Sequence, residues 1–128
     1  MAAERSGTNQ AVVAAAIDVA GVVAFVLVGR ASHNEGLAGT VNTLWPFLSG
    51  LAVGWIALRG WRNPRRVVWT GIGVWIATVV VGMLLRVASG QGIATSFVIV
   101  ATLALALLLL GWRLVAALVA RSAARRTP

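Results

Sequence analysis

All side-chain acid–base chemistry open to this chain resides in Glu4, Asp18, Glu35, His33 and eleven arginines, because Lys, Cys and Tyr are absent. Without a lysine amine there is no Schiff base to hold retinal or pyridoxal phosphate. Without thiols there are no disulfides, iron–sulfur clusters or redox cysteines. One imidazole is too few for a His-rich metal site or a bis-imidazole haem. The inventory therefore predicts no cofactor, no metal and no enzymatic activity. A lipid-acting enzyme would have to bring His33 and Glu35 within reach of each other or of a shared substrate.

Asp18 is the acid whose surroundings matter most. It lies inside an apolar run, roughly 12 Å from the start of that run at 1.5 Å per residue. A carboxylate there costs at least about 2.5 kcal/mol and must face a bundle interior or water. Counted by depth, Ser49, Thr78, Thr102 and the Trp75 indole fall at similar levels, which predicts a midplane polar cluster around Asp18. Desolvation favours the uncharged acid. Two roles stay open: a proton or cation site, and a neutral carboxyl tying helices together.

Arg30 and Arg86 form a second candidate site. Each ends a run, where a cation meets the negative end of a helix dipole. Around them stand His33, Asn34, Glu35, Asn42, Gln91 and Thr95, and Gly90 and Gly92 precede the last apolar run. Arg30, His33, Arg86 and Thr95 with a helix N-terminus would suit a carboxylate, a phosphate or a lipid headgroup.

The elements that must position these groups are long and apolar. The chain is 59% hydrophobic and 11% charged, with a mean hydropathy of +0.90. A soluble domain of about one-quarter charged residues covers its surface with them; this chain cannot, so lipid must solvate much of it. Apolar runs cover 10–28, 41–58, 67–85 and 93–112. Each is roughly 27–30 Å long as a helix, the thickness of a hydrocarbon core. No strand-like alternation is present, and only helices then cross with their backbone satisfied. The fold expected is an all-α polytopic bundle of four transmembrane helices, between a 1–9 segment and a basic 121–128 tail. The end of the fourth helix is open, because Leu114–Ala120 stays apolar.

The net charge of +8 is not a nucleic-acid signal, since the arginines flank apolar runs without aromatics between them in a stripe. Arg5, Arg59, Arg62, Arg65, Arg66, Arg113, Arg121, Arg125 and Arg126 fall on one side, and Arg30 and Arg86 on the other. The positive-inside rule makes the first side cytoplasmic, with both termini in the cytoplasm of a cell that places the chain in its inner membrane. Trp45, Trp61, Trp69 and Trp112 near span ends read as interface anchors. The first span is expected to be retained, because no clear small-x-small cleavage site follows it.

Packing is expected through small residues, because lipid gives helices no hydrophobic reason to associate. Gly50 and Gly54 form a GxxxG pair, and Gly71, Thr78 and Gly82 share a face. In the first run Ala11, Ala14, Ala15, Asp18, Gly21 and Gly29 fall opposite Val12, Val19, Val23 and Val26, so the valines are expected to face lipid. Residues 30–38 align weakly with 86–94, and Gly60-Trp61-Arg62 with Gly111-Trp112-Arg113. Such a correspondence would make two parallel helical hairpins.

Asp18, Gly29-Arg30 with His33, Pro46-Phe47 with Gly54-Trp55, Thr78 with Gly82–Arg86, Gly90-Gln91-Gly92, Ala94 with Phe97, and Gly111–Arg113 together resemble one family. It is the small four-span prokaryotic membrane proteins catalogued as domain of unknown function 3054. The resemblance runs from about Asp18 to Arg113 and implies a four-helix membrane protein with no assigned activity. Asp18-Val-Ala-Gly21 and Trp69-Thr-Gly-Ile-Gly73 are also similar to patterns of small multidrug-resistance transporters. That second resemblance implies a proton-coupled role for Asp18, but the chain departs from it in carrying Asp for Glu, no Tyr and a strong arginine bias. The function expected is binding or passing a small solute, or serving as a subunit of a membrane assembly. The alternative is a proton-coupled small-molecule transporter. Expected partners are membrane lipids, a second copy or other subunits, and an unidentified small molecule, with no nucleic acid.

Overall fold

The computed structural model describes the backbone of residues 2–31 and 36–126, and the side chains of residues 7–29 and 39–125. Four α-helices make up the fold: α1 (Ala2–Ala31), α2 (Gly36–Ala57), α3 (Ile72–Ala88) and α4 (Thr95–Arg126). A π-helical turn, Val67–Gly71, leads directly into α3. No strand occurs among the described residues. In spatial order α1 neighbours α2 and α4, and α3 neighbours α2 and α4, so the helices close a ring.

Three helical segments are long and apolar enough to cross a membrane: Gly7–Gly29, Val67–Ala88 and Thr95–Arg125. The first, third and fourth expected spans thus have helices of the right kind. α2 falls outside this set, because Thr40, Asn42, Thr43 and Pro46 dilute the apolar character of its first turns. At both chain ends helix replaces the expected segments: α1 begins at Ala2, and α4 continues to Arg126.

The core forms around Phe47 of α2, which is fully buried. Phe25 of α1 meets its ring edge-on at 5.6 Å, and Phe97 of α4 lies 6.2 Å away. On α3, Gly82 leaves the space the ring occupies, since a Cβ there would stand 2.6 Å from Phe47 Cδ1. One aromatic ring of α2 therefore meets the other three helices. Val22, Val26, Leu51, Val74, Met83, Ala101, Leu105 and Leu109 extend this core along the bundle.

The closest approach is between α2 and α3. A Cβ on Gly50 would come within 2.9 Å of the Thr78 carbonyl oxygen, and one on Gly54 within 2.9 Å of Ala77 Cβ. Both glycines of the GxxxG pair thus bring two backbones together, as close packing in lipid requires. On α1, Ala14 and Asp18 turn inward, while Val12 and Val19 turn outward. Val26, expected to face lipid, is instead only 2% exposed and belongs to the core. It stands eight residues after Asp18, on the same side of the helix, so the inward stripe continues through it. Outward-facing apolar residues such as Val28, Ile56, Val68, Leu103 and Leu107 cover the exterior, a surface suited to lipid and unsuited to water.

Pro46 lies inside α2, well past its start at Gly36. It has no N–H to give the carbonyl of Asn42, four residues earlier. Gln91, from the α3–α4 loop, supplies the missing donor: its Nε2 lies 2.9 Å from the Asn42 oxygen.

Candidate functional site

Asp18 is fully buried, and so is its partner Arg113. The two meet as a fork: Arg113 Nη1 donates to Oδ1 at 2.8 Å and Nη2 to Oδ2 at 2.7 Å. Two indoles complete the set of donors. Trp55 Nε1 donates to Oδ2 at 2.9 Å, and Trp112 Nε1 to Oδ1 at 2.8 Å. All four partners are donors, an arrangement that suits an ionised carboxylate; a protonated acid would need an acceptor for its own O–H. The neutral carboxyl expected from desolvation is thereby replaced by a charge-assisted, bidentate pair.

Arg113 is held from further directions. Its Nε donates to the Pro64 carbonyl at 2.9 Å, and Nη1 also donates to Leu109 O, one turn back, at 2.8 Å. Its guanidinium carbon stands 4.6 Å from the Trp112 ring centroid. Four segments therefore converge on one ion pair: α1 through Asp18, α2 through Trp55, the α2–α3 loop through Pro64, and α4 through Trp112 and Arg113.

The π-helical turn makes the room. Gly71 N–H donates to Arg66 O at 2.8 Å, a five-residue bond, and such bulges often occur at functional sites. It sets Gly71 so that a Cβ would lie 3.0 Å from Arg113 Cδ. Thr70 Oγ1 donates to Asn63 O at 2.6 Å and Trp69 Nε1 to Leu58 O at 3.1 Å. The loop that offers the Pro64 carbonyl is thus pinned from both sides.

The hydroxyls expected around Asp18 are engaged elsewhere. Thr78 Oγ1 donates to Val74 O and Thr102 Oγ1 to Val98 O, each at 2.7 Å on its own helix. The Trp75 indole donates to Thr102 O at 3.0 Å. Ser49 lies partly buried on α2 and is not among the Asp18 partners. The reason is reach. A threonine hydroxyl in a helix finds its own i−4 carbonyl first, whereas Arg and Trp can cross between helices.

Arg113, Trp112 and Trp55 are the site residues that sequence reasoning missed; it had placed Arg113 with the cytoplasmic-side arginines and Trp112 at the interface. A signal was present. The apolar stretch continues through Leu114–Ala120, which sets Arg113 inside an apolar helix, and an arginine there pairs with an acid or with backbone carbonyls.

A second polar knot closes the opposite end. Arg86 Nη1 donates to Gln91 Oε1 at 2.9 Å, while Nε and Nη2 donate to Gly92 O at 3.2 and 2.8 Å. Its guanidinium carbon stacks 4.4 Å from the Phe97 centroid. Gly90 takes the left-handed backbone, φ 82°, that turns the chain toward α4. Arg86 and Gln91 thus brace the α3–α4 loop and, through Asn42 O, the start of α2. Thr95 is the exposed first residue of α4. The side chain of Arg30, together with His33 and Glu35, lies outside the described residues, so the anion site expected there is represented only by Arg86 and Thr95. Gly71 and Gly82, like Gly50 and Gly54, stand at close contacts between elements.

A model of the family described as protein of unknown function (DUF3054) matches residues 15–116. The chain belongs to this family. The matched stretch begins just before Asp18 and ends just after Arg113, so both halves of the buried pair, both indoles and the Arg86–Gln91 brace lie inside it. No curated protein and no solved structure matches the chain.

Proposed function

We propose that this DUF3054 member is a four-span, non-enzymatic membrane protein in which the Asp18–Arg113 clamp locks the bundle into a rigid subunit of a membrane assembly. α2 is the fourth crossing: it runs beside α3 over most of its length, and its polar first turns are braced by Gln91. Both termini and the 59–66 loop face the cytoplasm, following the arginine bias.

The observation that carries this reading is the saturation of Asp18. A coupling carboxylate must take up and release a proton or cation, which requires a path to water and an acceptor position left open. Asp18 has neither: it is fully buried, and each oxygen already accepts two N–H bonds. Beyond the clamp, α1 and α4 continue with Val12, Val13, Leu114, Val115 and Leu118 exposed, a surface available to a neighbouring subunit.

Proton flux in proteoliposomes under an imposed pH gradient tests the proposal. Native protein and Asp18→Asn should show the same background flux, and the variant should unfold at a lower temperature. A native flux that disappears in a still-folded Asp18→Asn variant would establish the proton-coupled alternative instead.

A further inference from the structure

The loop between α2 and the π-helical turn carries Arg59, Arg62, Arg65 and Arg66, all exposed. Among the described residues the only carboxylate side chain is Asp18, and Arg113 occupies it. Four guanidiniums therefore share one short loop with no acid among the described side chains to neutralise them. Trp61 and Trp69, 51% and 53% exposed, flank them. Directly beside the loop, the surface turns apolar at Ile56 on α2 and at Val68 on the π-helical turn, which is 73% exposed.

A ligand that fits this surface must be anionic at one end and apolar at the other. Guanidiniums pair bidentately with phosphate oxygens, and half-exposed indoles favour the headgroup level of a bilayer. We propose that the 59–66 loop binds the headgroups of anionic phospholipids, whose acyl chains lie along the outer faces of α2 and the π-helical turn. The inference rests on the membrane reading above and adds the chemistry of a lipid partner. A soluble polyanion such as nucleic acid fits less well, because the adjoining Ile56 and Val68 would be left in water.

Quenching of tryptophan fluorescence provides the test. The full chain is reconstituted in vesicles of equal parts phosphatidylcholine and phosphatidylglycerol, with bromine on the acyl chains of one lipid or the other. Enrichment of the anionic lipid should make brominated phosphatidylglycerol about two-fold or more the better quencher. The triple variant Arg62→Gln, Arg65→Gln, Arg66→Gln should bring the two quenchers towards parity. Arg59 stays in place because its φ of 52° shapes the turn. Should the variant misfold, about 1 M salt, which shortens the screening length to about 3 Å, should erase the preference in the native chain. Equal quenching by both lipids in the native chain overturns the proposal, as does a preference that survives either treatment. Quenching by neither lipid would overturn the membrane reading with it.

Discussion

Gly60-Trp61-Arg62 and Gly111-Trp112-Arg113 are the same three residues with opposite fates. In the first, Trp61 and Arg62 lie exposed in a loop. In the second, Arg113 is fully buried and Trp112 donates to the same carboxylate as its neighbour. The tripeptide does not decide between these outcomes; the rest of the fold does. Arg113 sits on a helix facing Asp18, with Gly71 leaving space for its side chain, and among the described residues no acid stands opposite Arg62. An arginine in an apolar setting is buried only where its charge and its donors are met together.

The sharpest way to break this contrast is to remove one charge. Arg113→Ala should destabilise the protein by about 3–5 kcal/mol, because Asp18 would be left buried and unpaired. Thermal unfolding in detergent reads this directly. Replacing both partners with apolar residues, Asp18→Leu with Arg113→Met, should recover much of that loss, since the burial cost of two charges disappears too.

A smaller effect is expected at the indole. Trp112→Phe leaves a smaller aromatic ring and removes one hydrogen bond to a charged acceptor, and the lost bond alone predicts a loss of about 1.5–3 kcal/mol. Trp61→Phe should leave the unfolding temperature unchanged in the same assay. At the other end of the bundle, Gln91→Ala removes the donor to the Asn42 carbonyl and the acceptor of Arg86 Nη1. The exposed neutral bond to Asn42 is worth about 1 kcal/mol, and faster amide exchange at the start of α2 should accompany its loss. Arg62→Ala completes the series: in detergent no measurable change in stability is expected, because this exposed side chain has no protein partner among the described residues. A marked loss there would mean that the two tripeptides are less different than their surroundings indicate.

Much of the architecture was legible in the residues. Gly50, Gly54 and Gly82 marked the close contacts, the Ala14–Asp18 stripe marked the inward face of α1, and the acid in that stripe marked the site. The partners of Asp18 were not legible by depth, because depth counting treats every polar residue at a level as equally able to reach. Thr78 and Thr102 satisfy themselves on their own helices, while Arg113 and Trp55 reach across. Val26 was misplaced for a simpler reason: the inward stripe through Asp18 is broad enough to take in the position eight residues further on.

Composition and periodicity alone determined that this is an all-helical chain with lipid-compatible faces and one acid that must be turned inward, because burial of apolar area and the cost of a charge in hydrocarbon depend only on residue type and spacing. Which cation answers that acid, and which of two identical tripeptides supplies it, was decided by the tertiary structure. Positions 18, 55, 64 and 113 meet only once four segments pack side by side, and no local pattern encodes that meeting.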